Sequence, residues 1–405
     1  MAPGRTMTVG ESTAAFQGVR PGAIAPRRSD LIDHCRKVMA ERGLTTAAPR
    51  SVIDDLVAQV LREQRVVGPT ELATELAVSL TGWGPIQELL DTADCEEIWW
   101  NDPSRVFYSV AGQTRLSNVV LAPADAEAMV LRAVSAAGRR LDHSQPFVDA
   151  PLPDGSRLHV VMPPITPEHW AVNIRRYVVH PTGLDPLVGS GTLTRPAAEL
   201  LNAAVRAGAN IVICGGTGSG KTTMLNALLC SAPGHRVVTC EEVRELRLPI
   251  ADWVTLQTRD GGLEGTGAVV LRDLVREALR MRPDRLAVGE VRGPEALDLL
   301  LAMNCGIPAA GTVHANSAED AVDRLTGLPL LAGPNVSAEF VRRCVGSCLD
   351  LIVHLELGAD GHRRVTQIVS VAPTVHGPSI GRLFHDDGAG LRRGAAEIPA
   401  PWVCE

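Results

Sequence analysis

Residues 211–223 read IVICGGTGSGKTT, and this stretch decides the fold that the sequence predicts. Apolar residues lead into a glycine-rich loop, and residues 224–229, MLNALL, are typical of a helix. From Gly215 to Thr222 the loop has the spacing G-x-x-x-x-G-K-T of a phosphate-binding P-loop. The pattern therefore predicts a strand, a phosphate-binding loop and a helix in succession.

The residue types of this loop suit phosphate binding. Glycines let the backbone turn tightly and bring N–H groups onto phosphate oxygens, and the helix start adds free N–H groups. We expect Lys221 to reach the β- and γ-phosphates of ATP and the Thr222 hydroxyl to hold Mg²⁺. Lys37 is the only other lysine, so an arginine-rich chain has placed a compact ammonium here. The predicted nucleotide-binding residues are Gly215, Gly216, Thr217, Gly218, Ser219, Gly220, Lys221, Thr222 and Thr223.

The composition limits the class of protein. The chain has 405 residues, 45% of them hydrophobic, which is enough for two or three domains with sizeable cores. Its net charge of −7 argues against a dedicated nucleic-acid surface, so we expect no direct nucleic-acid partner. No apolar run approaches the length that spans a bilayer, and no signal peptide is visible. We therefore expect any membrane link to run through a partner.

Hydrophobic periodicity divides the chain into segments. Helical patterns come first, then strands mixed with a helix, and then a regular alternation of strands and helices, which is typical of a mostly parallel sheet. The fold class predicted is α/β. The predicted segments are a flexible tail (1–28), N-terminal helices (29–69), a small α+β domain (70–178), a linker (179–192), a P-loop domain (193–372) and a loosely ordered C-terminal tail (373–405).

Further polar groups follow other predicted strands of the last domain. Glu290 ends the apolar run 286–288, Glu241 follows the run 237–240, and His314 ends the run 309–313. The carboxyl ends of parallel strands face the ligand in an open α/β sheet, so all three side chains can meet at the phosphate loop. We expect Glu290 to handle metal or water together with Thr222, and Glu241 or Glu290 to orient the attacking water. Capping of the next helix by Glu290 and a core position for His314 stay open.

The sequence resembles the secretion-superfamily ATPases of type II and type IV secretion and of type IV pili. Within them it is most similar to the tight-adherence (Tad) pilus branch. The resemblance covers about residues 67–371, and the string from Leu279 to Ala296 is highly specific. The segments that carry it are residues 82–85 (GWGP), 153–157 (PDGSR), 215–222, 264–267 (EGTG), 279–285 (LRMRPDR), 289–296 (GEVRGPEA) and 312–317 (TVHANS).

This resemblance implies a hexameric ring whose subunits carry an N-terminal domain and a RecA-like C-terminal domain, with ATP bound between them. It implies a place at the cytoplasmic face of the membrane, on a polytopic inner-membrane platform protein of a secretion or pilus system. The family's acidic box maps to Glu241-Glu242 with Glu245, and its histidine box ends at His314. The chain departs from the family pattern at Glu242, where Asp is usual, and at Ile307, where a histidine is usual.

Phosphoryl transfer also needs a positive charge on the far side of the γ-phosphate, and the phosphate loop has no arginine of its own. Arg157, Arg175 and Arg176 lie in the N-terminal domain, where the family supplies such arginines. Each is a candidate arginine finger, and simple pairing with acids inside that domain is the alternative.

The function predicted is Mg²⁺-dependent ATP hydrolysis that powers pilus assembly or protein export. A conjugation-type ATPase for DNA or effector transfer is an alternative within the class. A nucleotide-gated scaffold with negligible hydrolysis is an alternative from another class, favoured by Ile307. A nucleic-acid helicase is disfavoured by the acidic charge and by the lack of interleaved basic and aromatic residues.

Overall fold

The computed structural model describes residues 28–44, 50–66, 70–80, 83–110, 112–176, 181–232, 236–259, 267–375, 377–388 and 390–403. The predicted flexible tail, apart from Arg28, lies outside the described residues, and so do Gly82, residues 264–266 and residues 177–180 of the segments named above. Within the described ranges, no helix combines the length and the apolar character that crossing a membrane requires.

The N-terminal helices form a small core of their own. They are α1 (Arg28–Glu41), α2 (Arg50–Glu63) and α3 (Thr70–Leu80). Leu31 and Cys35 of α1 are buried against Ile53 and Val57 of α2, at the i, i+4 spacing of one helix face. Leu76 of α3 joins the same core. The boundary that the sequence predicts at residue 70 therefore separates α3 from α1 and α2, with which it packs.

An antiparallel sheet, which we call the N-terminal sheet, follows these helices. Its six described strands have the order β3-β2-β1-β6-β5-β4. One face is apolar and packs on α5 (Pro123–Ala136), with Trp100 fully buried. A short helix α4 (Gln87–Asp91) precedes the sheet. The strands are β1 (Cys95–Trp100), β2 (Phe107–Val110), β3 (Gln113–Leu116), β4 (Phe147–Pro151), β5 (Arg157–Val161) and β6 (Ala171–Arg175).

A β-bulge in β1 gives the polar face of this sheet an unusual pair of carboxylates. Cys95 pairs with Val110 and Glu97 pairs with Ser109, which is the next residue of β2. Glu96 is therefore the extra residue of the bulge and has no partner in the register of β2. Cys95 and Ile98 are buried, whereas Glu96 and Glu97 between them are both partly exposed. The bulge therefore breaks the alternation of side chains and leaves two adjacent glutamates outside the apolar core.

The second sheet, which we call the C-terminal sheet, contains nine described strands in the order β15-β14-β13-β12-β7-β11-β10-β8-β9. The strands from β12 to β9 in this order are parallel, and β7 and β8 are buried along their whole length, as expected when helices cover both faces. The strands are β7 (Ile211–Gly215), β8 (Val237–Glu241), β9 (Trp253–Gln257), β10 (Arg285–Val291), β11 (Ala309–His314), β12 (Leu351–Leu357), β13 (Arg363–Thr374), β14 (Gly377–Asp386) and β15 (Leu391–Arg393).

Helices cover both faces of the C-terminal sheet and divide its core in two. Ile213 packs with Leu201 and Leu225 on one face, and Val212 packs with Leu274 and Leu299 on the other. The helices are α6 (Asp185–Gly189), α7 (Arg195–Arg206), α8 (Lys221–Cys230), α9 (Leu271–Ala278), α10 (Glu295–Asn304), α11 (Ala318–Gly327) and α12 (Ala338–Cys348).

The C-terminal part of the chain differs from the loosely ordered tail that the sequence predicts for residues 373–405. Strand β12 is interior, because it pairs with β7 on one side and with β13 on the other. Strand β14 pairs with β13 along its length, and Leu383, Phe384 and Trp402 are buried in the core. Apolar burial at these positions outweighs the glycines and prolines on which the prediction of a tail depended.

Candidate nucleotide site

Parallel strands bring the sequence-predicted groups to one edge of the C-terminal sheet. Strand β7 ends at Gly215, β8 at Glu241 and β11 at His314, and His314 pairs in register with Gly215. Glu290 lies near the end of β10, where the pairing with β11 shifts register between Val288 and Val291. The Thr312 hydroxyl donates to the Gly289 carbonyl over 2.6 Å and fixes this irregular segment.

The phosphate loop, residues 215–222, has the close backbone approach that its glycines predict. A Cβ on Gly215 would overlap the Leu355 carbonyl oxygen and lie 2.6 Å from Ser219 Oγ. Gly220, with φ of +92°, is in the left-handed region immediately before α8 begins at Lys221. The loop therefore folds tightly against the end of β12 and opens onto the N-terminal end of a helix, which favours a bound anion.

Lys221 is buried beneath this loop. It is 8% exposed, and its Nζ donates to the carbonyls of Gly215 (3.1 Å) and Gly216 (2.9 Å). Burial lowers the pKa of Lys221, whereas the charge of Glu290 acts to raise it. The ammonium is thus held in place by backbone oxygens that a phosphate group could replace.

A chain of polar contacts links three of the predicted residues. His314 Nε2 lies 3.0 Å from Glu290 Oε1, and His314 Nδ1 lies 3.5 Å from Lys221 Nζ. Because an ammonium only donates, Nδ1 accepts a hydrogen bond from Lys221. The N–H group at Nε2 then donates to the carboxylate of Glu290. Burial and the charge of Lys221 lower the pKa of His314, which favours this neutral imidazole. His314 therefore connects Lys221 with the carboxylate of Glu290.

Glu241 holds the segment that follows β8. It is 2% exposed, and its Oε1 accepts the backbone N–H groups of Glu245 (2.9 Å) and Leu246 (3.0 Å). Its Oε2 is buried and has no hydrogen-bond partner within the described part of the chain. Burial raises the pKa of Glu241 to about 7. Glu242 instead forms an ion pair with Arg292 at the surface.

The phosphate loop opens into a cavity of about 460 Å³ between the two sheets, which we call the intersheet cavity. Glu245, Glu290 and His314 line it, whereas Glu241 does not. The remaining lining residues come from the phosphate loop and α8, from the polar face of the N-terminal sheet, from residues in and near α6, from β11 and from the β12–β13 turn. They are Thr217, Gly218, Gly220, Lys221, Thr222, Thr223, Glu96, Glu97, Ser109, Arg175, Arg176, Pro186, Leu187, Ser190, Thr192, Thr312, Gly361, His362 and Arg363.

The candidate arginine fingers have different surroundings. Arg175 is exposed at the end of β6, lines the cavity, and its charge acts on Lys221 and His314. Arg157 donates to Asp149 over 3.0 Å within the N-terminal sheet. Arg176 also lines the cavity, but its guanidinium donates to the carbonyls of Thr92 and Cys95, beside the bulge of β1. Of the three, Arg175 is therefore the one that presents its charge to the phosphate loop of its own chain.

Sequence reasoning missed the contribution of Glu96, Glu97 and Arg363 to the cavity. Two adjacent acids at the start of a strand would ordinarily point to opposite faces, and only the bulge places both outside the core. Arg363 follows a glycine-rich turn, and this was the one signal that could have singled it out. Ile307, which departs from the family pattern, is partly buried against the core on the α10 side of the sheet.

The residues present fit a magnesium nucleotide. Thr222 and Glu290 supply a hydroxyl and a carboxylate at the cavity, the oxygen ligands that Mg²⁺ prefers. No group of three or more His, Cys, Asp or Glu side chains among the described residues has the arrangement of a metal site. Mg²⁺ usually binds through one or two protein ligands together with phosphate oxygens and water.

Comparison with known proteins identifies one family that matches most of the chain. Residues 79–357 match the family described as type II/IV secretion system protein. A Mycobacterium tuberculosis protein provisionally named for conjugal transfer is 36% identical over 317 residues, covering 75% of this chain and 89% of that protein. The conjugal transfer protein TrbB of Rhizobium radiobacter is 34% identical over 288 residues, covering 70% of this chain and 85% of that protein.

Solved structures support the fold. The X-ray structure of the Yersinia pseudotuberculosis ATPase DotB superposes with a TM-score of 0.52 at 17% identity, covering 72% of this chain and 78% of that chain. The phosphate loop, the strand-end acids and the histidine thus lie on a mixed α/β fold that the DotB structure shares. The chain belongs to the type II/IV secretion system protein family.

Proposed function

We propose that this protein is a Mg²⁺-dependent ATPase whose C-terminal part is a RecA-like P-loop domain and whose hydrolysis drives mechanical work. One observation carries the proposal: buried Lys221, linked through His314 to Glu290, stands at a phosphate loop that opens toward Arg175 of the N-terminal sheet. This arrangement has a phosphate-binding backbone, a metal-binding hydroxyl and carboxylate, and positive charge on two sides of one cavity.

The residues have separate tasks in this proposal. Lys221 would exchange the carbonyls of Gly215 and Gly216 for phosphate oxygens, because a charged acceptor binds an ammonium more strongly than a carbonyl does. Thr222 and Glu290 would hold Mg²⁺, which when bound neutralises charge on the transferring phosphoryl group. The position of Glu290 on the cavity supports it as the residue that orients water, while buried Glu241 would position the segment that carries Glu245.

The test is phosphate release by the purified protein with Mg²⁺ and ATP. Lys221→Ala should lower turnover at least about 10²-fold, because it removes a charge that stabilises the transition state. Lys37→Ala is the matched control, since Lys37 is the other lysine of the chain and is exposed on α1. Lys221→Ala turnover equal to that of Lys37→Ala would refute the proposed role of the phosphate loop.

We further propose that the motor serves a type IV secretion or conjugation-type machine. The conjugal-transfer names of its relatives support this choice. A hexameric ring, a polytopic membrane platform protein, a place at the cytoplasmic face and the absence of direct nucleic-acid contact are parts of the same proposal. Assignment to the tight-adherence pilus branch stays a prediction. Pilin-like proteins encoded beside this chain would favour that branch over conjugation.

A further inference from the structure

Arg363 joins the phosphate loop to the N-terminal sheet. Its Nε donates to the Gly218 carbonyl over 2.8 Å, and its Nη1 lies 2.8 Å from Glu96 Oε1. The other oxygen of Glu96 accepts the backbone N–H of Gly112 over 3.0 Å. One guanidinium therefore holds a carbonyl of the phosphate loop and a carboxylate of the other sheet at the same time.

The contact depends on the bulge of β1. Glu96 is the additional residue of that bulge, and an unbulged strand would place its side chain on the apolar face. Bulges often re-aim a side chain beside a functional site. Arg176 binds the carbonyls of Thr92 and Cys95 next to the bulge and so holds this backbone in place.

The surroundings shield the ion pair from water. The side chains of Arg363 and Glu96 are 32% and 24% exposed. A Cβ on Gly112 would lie 3.3 Å from Gly361 Cα and 3.5 Å from the Leu357 side chain. Partial burial acts to raise the pKa of Glu96, but the hydrogen bond and charge of Arg363 hold it below its ordinary value. The carboxylate is thus ionised near neutral pH.

The hydrogen bond from Arg363 to the Gly218 carbonyl also bears on the direction of the next backbone N–H of the phosphate loop. In a trans peptide the C=O and the following N–H point in opposite directions. Because the Gly218 carbonyl is held by Arg363, the N–H of Ser219 faces the other way, toward Gly216 within the loop. Arg363 therefore helps to set the direction of a backbone donor in the loop that would hold phosphate.

We propose that Glu96 and Arg363 are a positioning pair that fixes the N-terminal sheet onto the phosphate loop and thereby raises the affinity of the cavity for nucleotide. The inference rests on the proposed function and names residues beyond it, since Arg363 follows the last residue that matches the family. Because binding linkage is reciprocal, nucleotide in the cavity must strengthen this contact by the same factor.

The experiment measures the dissociation constant of Mg²⁺-ADP by calorimetry, together with kcat and KM for ATP. Glu96→Ala and Arg363→Ala should each weaken ADP binding about tenfold, equivalent to about 1.4 kcal/mol. The double variant should bind about as weakly as Arg363→Ala alone, because Arg363→Ala already removes the contact with Glu96. The value of kcat should change less than about threefold, since neither side chain takes part in the contacts among Lys221, His314 and Glu290.

Matched variants separate positioning from a general loss of structure. Arg382→Ala removes the 3.3 Å pair with Glu319, which lies within the C-terminal part of the chain, and should leave ADP binding unchanged. Glu96→Gln keeps the shape and removes the charge, and Arg363→Lys keeps the charge with a single donor group; both should recover part of the affinity. Thermal unfolding of every variant without nucleotide identifies a loss of fold.

The outcomes separate this inference from the proposed function. ADP binding by folded Glu96→Gln and Glu96→Ala that equals binding by the parent would overturn the positioning pair alone, while phosphate release by the parent would still support the motor. A parent that binds Mg²⁺-ADP but releases no phosphate would refute the motor, and weaker ADP binding by the pair variants would still support the pair. A parent that binds no nucleotide overturns both.

Discussion

At the scale of single residues, Lys221, His314 and Glu290 contact one another in series, and we expect Lys221 to serve nucleotide binding and Glu290 to serve hydrolysis. Lys221 has its own hydrogen bonds with the loop carbonyls, whereas the carboxylate of Glu290 contacts His314. Loss of the Glu290 charge should therefore spare the geometry of the phosphate loop and disturb the groups that handle metal and water.

We predict that Glu290→Gln keeps nucleotide affinity within a few fold and lowers turnover at least about 10²-fold, because the substitution removes a charge and keeps the shape. Calorimetry with Mg²⁺-ADP and a phosphate-release assay measure the two properties. Glu339→Gln, at an exposed position in the first turn of α12, is the control. Equal losses of binding and turnover would instead make Glu290 a structural residue.

Glu241 should make stability depend on pH. Burial raises its pKa in the folded protein to about 7 from an ordinary value of 4.5, so the folded state binds the proton more tightly than the unfolded state. The stabilisation is complete below the ordinary value and is lost as pH rises through 7. Glu245 acts to raise this pKa further, whereas the two backbone N–H donors and Arg244 act to lower it.

We predict that the unfolding free energy of the parent falls between pH 5 and pH 8 by on the order of 1–3 kcal/mol more than that of Glu241→Gln. The glutamine can still accept the N–H groups of Glu245 and Leu246 but does not titrate. Urea denaturation of nucleotide-free protein measures the difference, with Glu242→Gln as the surface control. Parallel pH profiles of the parent and Glu241→Gln would contradict the effect of burial.

The sequence predicts the site residues that belong to a local motif. It leaves open the site residues whose surroundings depend on strand pairing. The phosphate loop, Glu290 and His314 follow apolar runs directly, and parallel pairing brings them to one edge. Arg157 and Arg175 look alike in the sequence, and the difference between them is a cross-strand neighbour, Asp149, which no local pattern reveals. The role of either arginine as a finger stays a prediction.

At the scale of elements, hydrophobic runs predicted the buried parallel strands and the amphipathic helices that cover them. Partly exposed strands were missed: β9 is half-buried along its length, and β14 contains two glycines and a proline. Such strands are defined by their neighbours in the sheet, because their own side chains bury too little apolar surface to show a period.

The junction of β7 with the phosphate loop gives a prediction about this element. Gly215→Ala should lower the unfolding free energy by at least about 2 kcal/mol, because a Cβ there would overlap the backbone carbonyl of Leu355, which cannot move aside easily. Gly216→Ala is the matched control from the same loop, since nothing lies within 4 Å of its Cβ position. Chemical denaturation should separate the two variants, and equal stability would contradict the tight junction.

At the scale of the whole molecule, the intersheet cavity is lined by both sheets of one chain. The sequence predicts two such parts, because the change from mixed patterns to regular strand–helix alternation is visible in it. It could not predict how the polar face of one sheet meets the phosphate loop of the other.

We predict that the active form is a ring of six subunits. Light scattering with Mg²⁺ and a non-hydrolysable ATP analogue should give a mass six times that of the chain, because a closed ring gives every subunit the same neighbour. The Lys221→Ala variant, examined under the same conditions, shows whether nucleotide binding is required for assembly. Full phosphate release from a sample that contains only monomers would contradict the prediction.

The pairing of β12 with β13 has a practical consequence for shortened versions of the chain. The part that matches the family ends at Leu357, the last residue of β12, and invites truncation there. Such a fragment would present β12 as an open edge and would lose apolar side chains, including Ile368 and Phe384, that complete its core. An exposed apolar edge recruits strands from other molecules, so the fragment should self-associate by adding strand to strand. Aggregation of a truncated sample would then report the missing strands and not the behaviour of the intact protein.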